Sequence, residues 1–391
     1  MYDFNKVIDR SNTCSVKYDL REKQGYGSDI LPLWIADMDF QVPPCVTEAL
    51  EDAVKYGIYG YSILDNDYFP ALQDWFFNHF DWKLEADWLL NTPGVVFALS
   101  AAVRATTNPG DRVLIQPPVY YPFYNVVKQN DRVLVESPLV YENGKYSIDF
   151  ADFEKKIIEN GVKLFILCSP HNPICRVWTK EELQKIGAIC KKYDVTVVAD
   201  EIHCDFAFPG HPHTPFPKAC PEMQDHCIVC TAPSKSFNIA GLQVSNIFIP
   251  GQDLRARFKK ELDIAACHEP NLLGMLACHA AYRGGEQWLS ECKAYMRENL
   301  AYVRDYLAAH IPQIRLVEPE GTYFAWLDCS KLKLSKEALD DLILHRAKLW
   351  LDSGAMFGQC ASQFQRLVLA CPRATLVEAM ARLNDAVSSI L

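Results

Sequence analysis

The chain has 391 residues, of which 49% are hydrophobic and 23% charged, the proportions of an ordinary folded protein. At this length two domains with substantial cores are expected. The net charge of −10 argues against a general nucleic-acid binder, because such proteins cluster basic residues against phosphates. No stretch is apolar for long enough to span a membrane, and the first residues lack the apolar core of a signal peptide. We therefore expect a cytoplasmic protein.

The first 45 residues are predicted to form an arm that contributes to a smaller domain, and a double proline at Pro43-Pro44 ends it. An amphipathic helix is predicted over 46–56. From Trp88 onward, short apolar strands alternate with helices, which indicates an α/β fold with a mostly parallel sheet. The predicted strands are 112–116, 132–136, 163–168, 195–199, 228–230 and 245–249, and the predicted helices are 95–106, 180–193 and 253–266.

The texture changes after Gly285. A long charged helix is predicted over 286–310, another over 336–347, and a terminal helix from Thr375. We predict a large domain over 46–285 and a small α+β domain over 286–391, joined by the arm 1–45.

The fifteen cysteines are interpreted as small buried apolar residues of a protein kept in a reducing compartment. The alternative is a metal or redox site at His226-Cys227-Ile-Val-Cys230. In a strand, an offset of three places the two thiols on opposite faces, where they do not share one ion. We therefore expect no metal site.

One lysine stands at the end of a predicted buried strand, in Thr231-Ala-Pro-Ser-Lys-Ser-Phe-Asn-Ile-Ala-Gly241. Burial of an ammonium is costly, so the pKa of Lys235 is expected to fall, as a Schiff-base lysine requires. By position alone, most such lysines are solvated loop residues.

Three other strand ends carry unusual chemistry, and ligands of open α/β sheets bind at such ends. Gly94 opens a helix whose free N–H groups suit a phosphate, although an ordinary helix start has the same pattern. Asn172, in Ser169-Pro-His-Asn-Pro173, is either a ligand amide or a satisfied turn residue. Asp200 follows the apolar residues Val197, Val198 and Ala199 and is expected to meet a cation, unless it caps the next helix.

Together these segments meet the requirements of pyridoxal 5′-phosphate (PLP). The cofactor needs a lysine for its aldehyde, an aspartate for its ring nitrogen, a phosphate cup and a hydrogen bond to its ring oxygen. The hydroxyls of Thr231 and Ser234 are of the right type for the phosphate. The chain has no Gly-x-Gly-x-x-Gly, Walker, Gly-x-Ser-x-Gly or His-Glu-x-x-His motif.

Over its whole length the sequence resembles fold-type I PLP enzymes, and most closely the MalY/PatB branch of carbon–sulfur β-lyases. The resemblance is carried by Trp34-Ile-Ala-Asp-Met-Asp-Phe40, Tyr59-Gly-Tyr61, Ser169-Pro-His-Asn-Pro173, Arg176-Val-Trp178, Asp200-Glu-Ile-His203, Ser234-Lys-Ser-Phe-Asn-Ile-Ala-Gly241 and Cys371-Pro-Arg373. It implies a fold with a large domain built on a mostly parallel sheet and a smaller α+β domain.

The resemblance also implies roles for individual residues. Lys235, Tyr61 and Tyr120 would be catalytic, with Lys235 holding the cofactor and carrying the Cα proton. Asp200 would pair with the ring nitrogen. The other expected contacts are Asn172 and His203 near the ring oxygen, Tyr120 stacked on the ring, Val95, Val96, Thr231, Ser234 and the Tyr61 of a second subunit at the phosphate, Arg373 at the substrate carboxylate, and Ile35, Ala36 and Asp37 around the substrate.

Two departures from the parent aminotransferases favour elimination over amino transfer. Those enzymes commonly carry a tyrosine three residues after the aspartate and an arginine eight residues after the lysine; this chain has His203 and Gln243. The expected reaction is α,β-elimination from cystathionine or a cysteine S-conjugate by a homodimer with a shared active site. Two alternatives remain, an aminotransferase acting on aromatic or apolar amino acids, and a protein that restrains a transcriptional activator.

One position departs from the β-lyase branch itself, which usually has glycine where this chain has Cys175. If the backbone there has a positive φ, a cysteine is strained by roughly 1 kcal/mol or more. A local backbone adjustment and a reactive thiol near the cofactor are the two interpretations, and we favour the first.

Overall fold

The computed structural model of the protein describes residues 2–390. The N-terminal segment contains α1 (Val16–Lys23) and the short strand β1 (Leu31–Pro32). No helix within residues 2–390 has the length and apolarity needed to cross a membrane.

The middle of the chain builds a seven-stranded sheet with helices on both faces. Its helices are α2 (Pro44–Tyr56), α3 (Tyr68–Phe80), α4 (Val95–Thr106), α5 (Pro122–Lys128), α6 (Phe150–Asn160), α7 (Lys180–Lys192), α8 (Phe216–Ala219), α9 (Pro233–Ser236), α10 (Gln252–Ile264) and α11 (Leu272–Gly284). Its strands are β2 (Leu89–Thr92), β3 (Arg112–Ile115), β4 (Val133–Glu136), β7 (Leu164–Cys168), β8 (Thr196–Asp200), β9 (Cys227–Thr231) and β10 (Ser245–Phe248), and β5 (Val140–Glu142) and β6 (Lys145–Ser147) form a separate hairpin.

The sheet has the order β2-β10-β9-β8-β7-β3-β4. The five strands from β9 to β4 are parallel, whereas β10 is antiparallel to both of its neighbours. A parallel pair needs a long crossover, and only a one-turn helix and a 3₁₀ turn separate β9 from β10. The prediction of a mostly parallel α/β sheet is confirmed.

The sheet is buried on both faces, which explains its continuous apolar strands. Along β7, Phe165 and Leu167 pack in one core, while Leu164 and Ile166 pack in the other. Every predicted strand lies within one residue of an observed one, and the predicted helices 95–106 and 286–310 agree with the structure. Within the described residues, seven helices were not predicted, namely α1, α3, α5, α6, α8, α9 and α11.

The same two faces separate the thiols considered above as a metal pair. Cys227 belongs to one core and Cys230 to the other, because the two residues lie an odd number of positions apart on β9. Within residues 2–390, no three His, Cys, Asp or Glu side chains are grouped so that they could hold a metal ion.

The last hundred residues build a second, antiparallel sheet of order β11-β12-β15-β14. The helices and strands of this region are α12 (Glu286–His310), β11 (Arg315–Val317), β12 (Phe324–Asp328), α13 (Lys336–Asp341), β13 (Leu349–Trp350), β14 (Asp352–Ser353), β15 (Phe364–Val368) and α14 (Arg373–Ser388). Helix α13 is shorter than predicted and continues as a π-helical turn over Leu342–Arg346. The N-terminal strand β1 pairs in parallel with β13. The domain boundaries near 45 and 285 stay a prediction.

Candidate functional site

A cavity of about 320 Å³ lies at the carboxyl ends of β7 and β8, beside the loop after β9. Nine of the predicted site residues line it: Ala36, Val95, Val96, Tyr120, Asn172, Asp200, His203, Ser234 and Lys235. Residues far apart in the chain meet here because parallel strands end at one edge of the sheet.

Lys235 lies on the one-turn helix α9 directly after β9. Its Nζ donates a hydrogen bond of 2.8 Å to the carbonyl of Ala36, which also accepts from the hydroxyl of Tyr323 at 3.2 Å. Burial lowers the pKa of Lys235 to about 8, although the carboxylates of Asp37 and Asp200 act in the opposite direction. A larger fraction of this amine is therefore neutral near physiological pH than for an ordinary lysine, and the neutral form is the one that acts as a nucleophile or base.

Asp200 is the last residue of β8 and is almost fully buried. Burial raises the pKa of its carboxyl to about 7, and a hydrogen bond from the backbone N–H of Ile202 only partly opposes this. A carboxylate in such surroundings suits a cationic partner from the cavity, because the charge would otherwise be desolvated without compensation. The interpretation of Asp200 as a helix cap is not supported, since no helix begins there.

Asn172 carries a contact that was not predicted. Its Oδ1 accepts a hydrogen bond of 2.8 Å from Nη1 of Arg366, a buried arginine of β15. The guanidinium of Arg366 is sandwiched between the rings of Phe324 and Phe357, with its central carbon 4.4 and 4.9 Å from their centroids. It is also ion-paired with Asp352, and its Nη2 donates to the carbonyl of Trp34.

Arg366 was missed, although a signal for it exists in the sequence. It precedes the apolar run Leu367–Ala370, and a charged residue beside such a run is rarely buried without a specific partner. Arg366 itself does not line the cavity, but its hydrogen bond to Asn172 places its guanidinium next to a residue that does.

Neither Arg373 nor the partners of its side chain line the cavity, so its assignment to the substrate carboxylate is corrected. It is the first residue of α14; its Nε donates to Oδ1 of Asn299 at 2.8 Å, and its guanidinium lies over the ring of Tyr302. Strand β15 ends at Val368 and Pro372 is the N-cap of α14, whose first residue directs its side chain toward α12.

Thr231 and Asp37 also lie outside the cavity lining. The Thr231 hydroxyl is buried within the sheet, where it donates to the carbonyl of Asn246 at 2.8 Å, so it is not available to a phosphate. Asp37 is ion-paired with Arg10 at 2.7 Å. Its neighbour Ala36 is the arm residue that reaches the cavity.

The two ring-bearing residues of the site are both uncharged. Burial holds the pKa of His203 well below its usual range, and the ring packs against Phe206, Tyr323 and Phe324. Burial also raises the pKa of Tyr120, so its phenol stays protonated. Both residues offer neutral groups, and Tyr120 offers a ring face for stacking.

The opposite end of the cavity suits a phosphate. Gly94 is the N-cap of the twelve-residue helix α4, and the first turn at Val95 and Val96 presents backbone N–H groups with no partner inside the helix. Ser234 and Gln243 also line this region. A Cβ on Gly94 would meet nothing within 4 Å, so space there is open.

Tyr61 stands apart from the cavity of its own chain. It lies between α2 and α3 and is 98% exposed, in a stretch whose other large apolar side chains, Tyr56, Ile58, Tyr59 and Ile63, are also exposed. A cluster of this kind on the surface of an isolated chain indicates an interaction site.

Cys175 has the positive φ, 61°, that its replacement of glycine suggested. Its side chain is fully buried and outside the cavity lining, and its thiol lies 3.2 Å from the carbonyl of Pro173. Burial raises the pKa of this thiol to about 12, which disfavours the thiolate. The backbone keeps the left-handed conformation, so the expected local adjustment is wrong, and the buried thiol with its raised pKa also disfavours a reactive cysteine.

The comparisons with known proteins agree with this site. A sequence model of the aminotransferase class I and II family matches residues 28–383. The cystathionine β-lyase PatB of Bacillus subtilis is 41% identical over 386 residues, covering 99% of this chain and all of PatB.

Two solved structures are also close. Cystalysin of Treponema denticola, which contains a PLP cofactor, has a TM-score of 0.96 and 38% identity, with all of both chains covered. The PLP-bound C–S lyase of Staphylococcus hominis has a TM-score of 0.93 and 32% identity, with 99% of this chain and 98% of that chain covered.

The fold and the cavity define a fold-type I enzyme that depends on PLP. The chain belongs to the aminotransferase class I and II family, and within it to the carbon–sulfur β-lyases of the MalY/PatB type. The residues around the cavity fit the cofactor, because a buried carboxylate, a lysine of lowered pKa and a helix N-terminus face one space of suitable size.

The raised pKa of Asp200 leads to a test on the cofactor-free protein. Between pH 4 and 7 the native state holds a proton on Asp200 that the unfolded state lacks, so the free energy of unfolding falls as pH rises through this window. Asp200→Asn removes this contribution, and relative to wild type it is expected to gain up to roughly 4 kcal/mol of stability between pH 4 and 8.

Urea denaturation at several pH values measures this effect. Asp253→Asn, at an exposed aspartate of α10, is the matched control and should keep the wild-type pH dependence. Identical pH dependence in wild type and Asp200→Asn would show that the Asp200 carboxyl has an ordinary pKa.

Proposed function

We propose that this enzyme cleaves the Cβ–S bond of L-cystathionine or of cysteine S-conjugates and releases a thiol, pyruvate and ammonia. The observation that carries the proposal is the shared cavity of Lys235 and Asp200, with Arg366 reaching it through Asn172. The relative PatB, a cystathionine β-lyase, supports this substrate class.

In this proposal the chain holds PLP at both ends. Lys235 binds its aldehyde carbon, Asp200 pairs with the ring nitrogen, and Asn172 and His203 face the ring oxygen. Tyr120 stacks on the ring, while Ser234 and the first turn of α4 hold the phosphate. Bound in this way, the cofactor supplies an electron sink for the Cα–H bond electrons.

Lys235 is proposed to be the base. Its ε-amino group has a pKa of about 8, so a substantial neutral fraction is available to take the proton from Cα. The Cα–H and Cβ–S bonds break, the thiolate leaves and takes a proton, and water hydrolyses the released enamine to pyruvate and ammonia. The Ala36 carbonyl, 2.8 Å away, holds the amine close to the cavity.

Arg366 replaces Arg373 as the proposed group for the substrate α-carboxylate. Its planar guanidinium is fixed by two rings and by Asn172, and its buried Nε has no hydrogen-bond partner within residues 2–390. A fixed guanidinium suits a planar carboxylate.

The proposed reaction can be tested directly. Purified holoenzyme should release pyruvate from L-cystathionine or an S-alkylcysteine without any added 2-oxo acid, and Lys235→Ala should lose both this activity and the visible absorption of the bound cofactor. Pyruvate is measured by coupled reduction, and absorbance by spectrophotometry. Product that appears only when an amino acceptor is added would make the enzyme an aminotransferase.

The second prediction separates the two arginines. Arg366→Lys keeps the charge but loses the planar fork, so KM for the amino-acid substrate should rise at least about tenfold. Arg373 lies outside the cavity, so Arg373→Lys should change KM little. Steady-state kinetics on variants with matched circular dichroism measures both, and the reverse ranking would return the role to Arg373.

We also propose a homodimer in which Tyr61 of one chain completes the site of the other. The exposed stretch around Tyr61 supports this, as does a cleft of about 860 Å³ beside it, which Ser62 and Ile63 line. Pro93, Gln243 and Val244 line both this cleft and the cofactor cavity. A partner segment bound there would reach the phosphate end of the site.

Hybrid dimers test the shared site. Lys235→Ala and Tyr61→Ala should each be inactive or nearly so, and co-refolding the two should restore up to about a quarter of the wild-type activity, because half of the dimers are hybrids with one intact site. Unchanged activity of Tyr61→Ala, or no recovery in verified hybrids, would contradict a site shared through Tyr61.

A cytoplasmic location is the last part of the proposal. All fifteen cysteines lie within the described residues and are free thiols, and eleven of them are buried. Thiols persist in this form in a reducing compartment.

A further inference from the structure

A charge cluster with two buried and two partly exposed members lies next to the active site, and the reaction described above makes no use of it. It consists of Arg10, Lys17, Asp37 and Asp39, all in the N-terminal arm. Arg10 pairs with Asp37 and Asp39 at 2.7 Å each, and Lys17 pairs with Asp39 at 2.7 Å.

Attaching the arm through this cluster costs the free energy of desolvating its charged groups. Lys17 is fully buried and Asp39 is only 4% exposed. Desolvation of such pairs commonly cancels their attraction, and apolar residues of similar volume often hold a fold equally well. The ion pairs beside the cavity are therefore weak evidence for a role in stability alone.

The cluster fixes the backbone of one short segment, Ala36 to Phe40. Lys17 and Arg10 donate to the carbonyls of Asp37 and Met38 as well as to the carboxylates. The backbone N–H of Asp39 donates to the carbonyl of Ala370 at 3.0 Å. The segment is thus held by two arm residues and by the chain just after β15.

The opposite side of the segment is held by Asn238, three residues after Lys235. Its Oδ1 accepts from the N–H of Met38 at 2.9 Å, and its Nδ2 donates to the carbonyls of Met38 and Phe40 at 3.0 and 2.8 Å. Asn238 has a φ of 58°, a conformation that asparagine tolerates better than most residues. The side chain of Asn238 therefore connects the arm to the segment that contains Lys235.

The fixed segment begins with Ala36, whose carbonyl accepts from Nζ of Lys235. Building on the proposed function, we propose that Asn238 and the Arg10–Lys17–Asp37–Asp39 cluster are positioning residues for Lys235. They hold the Ala36 carbonyl where it keeps the unbound ε-amino group aimed at the substrate Cα. A misplacement of about 1 Å in such a geometry costs up to roughly a hundredfold in rate.

The competing explanation is that these contacts only dock the arm. Docking predicts a loss of stability without a specific effect on proton transfer. Two variants separate these explanations while keeping the charge of the region. Asn238→Ala removes the three hydrogen bonds to the segment, and Arg10→Lys keeps the charge but loses the fork that bridges two carboxylates.

Arg21→Met is the matched control. Arg21 is also an arm arginine and donates to three backbone carbonyls, those of Tyr18, Ser28 and Ile30, but it makes no hydrogen bond to the segment from Ala36 to Phe40. Its loss should disturb the arm without moving the Ala36 carbonyl.

The first measurement is the rate of pyruvate release from S-methyl-L-cysteine and from its Cα-deuterated form by holoenzymes with matched circular dichroism. For Asn238→Ala we expect kcat to fall about tenfold or more, KM to change little, and the deuterium isotope effect on kcat to rise, because proton removal becomes more rate-limiting. Arg10→Lys should shift in the same direction by less, and Arg21→Met should match wild type.

The second measurement uses the cofactor-free protein and needs no activity. Lys235 is labelled with trinitrobenzenesulfonate and quantified by mass spectrometry of its peptide. Asn238→Ala should label several-fold faster than wild type and Arg21→Met, because the amine has lost its fixed acceptor.

The outcomes separate failure of this inference from failure of the proposed function. Folded Asn238→Ala and Arg10→Lys with wild-type isotope effects and labelling rates would overturn the positioning role. Equal changes of the isotope effect and the labelling rate in Arg21→Met would mean that the contacts only dock the arm. Absence of pyruvate from wild type would overturn the proposed reaction, while the labelling rates would still decide the positioning of the amine.

Discussion

The site depends on the desolvation of two opposite charges at neighbouring strand ends. Asp200 and Lys235 both lie where buried strands stop, and burial moves their pKa values toward each other, to about 7 and about 8. An acid that is costly to ionise and an amine that is costly to protonate are both ready to react near neutral pH. A cationic group and an electrophilic carbon are the partners that a desolvated carboxylate and a desolvated amine would bind favourably, and PLP offers both.

The two sheets and the N-terminal arm supply the groups around Asp200 and Lys235. The seven-stranded sheet supplies Asn172, Asp200 and Lys235 from successive strands, while the four-stranded sheet supplies Arg366. The N-terminal arm adds the Ala36 carbonyl, held between Asn238 and a partly buried charge cluster. Three parts of the chain that are remote in sequence therefore converge on one cavity, and each contributes a group that another part orients.

Cys175 and Thr231 show that the sequence around a site does not establish which side chains reach the cavity. Both lie within a few residues of groups that line the cavity, and both carry side chains of suitable chemistry. The thiol of Cys175 is nevertheless buried against the Pro173 carbonyl, and the hydroxyl of Thr231 donates to β10. In a strand or a tight turn, adjacent side chains point in opposite directions, so proximity in sequence does not give access to a ligand.

The sequence by itself determined the alternation of strands and helices, because apolar runs and helical periodicity are local properties, and it determined the lysine, aspartate and asparagine at the strand ends. The roles proposed for them rest on the resemblance of their motifs to those of the β-lyase family. Only the tertiary structure decided that Arg366, and not Arg373, meets Asn172. The two arginines are seven residues apart beside the same apolar strand, and the choice between them depends on the register of β15 against β12 and on the turn at Pro372. The exposure of Tyr61 and the antiparallel direction of β10 were likewise decided by contacts between elements distant in the chain, which no local pattern of residues encodes.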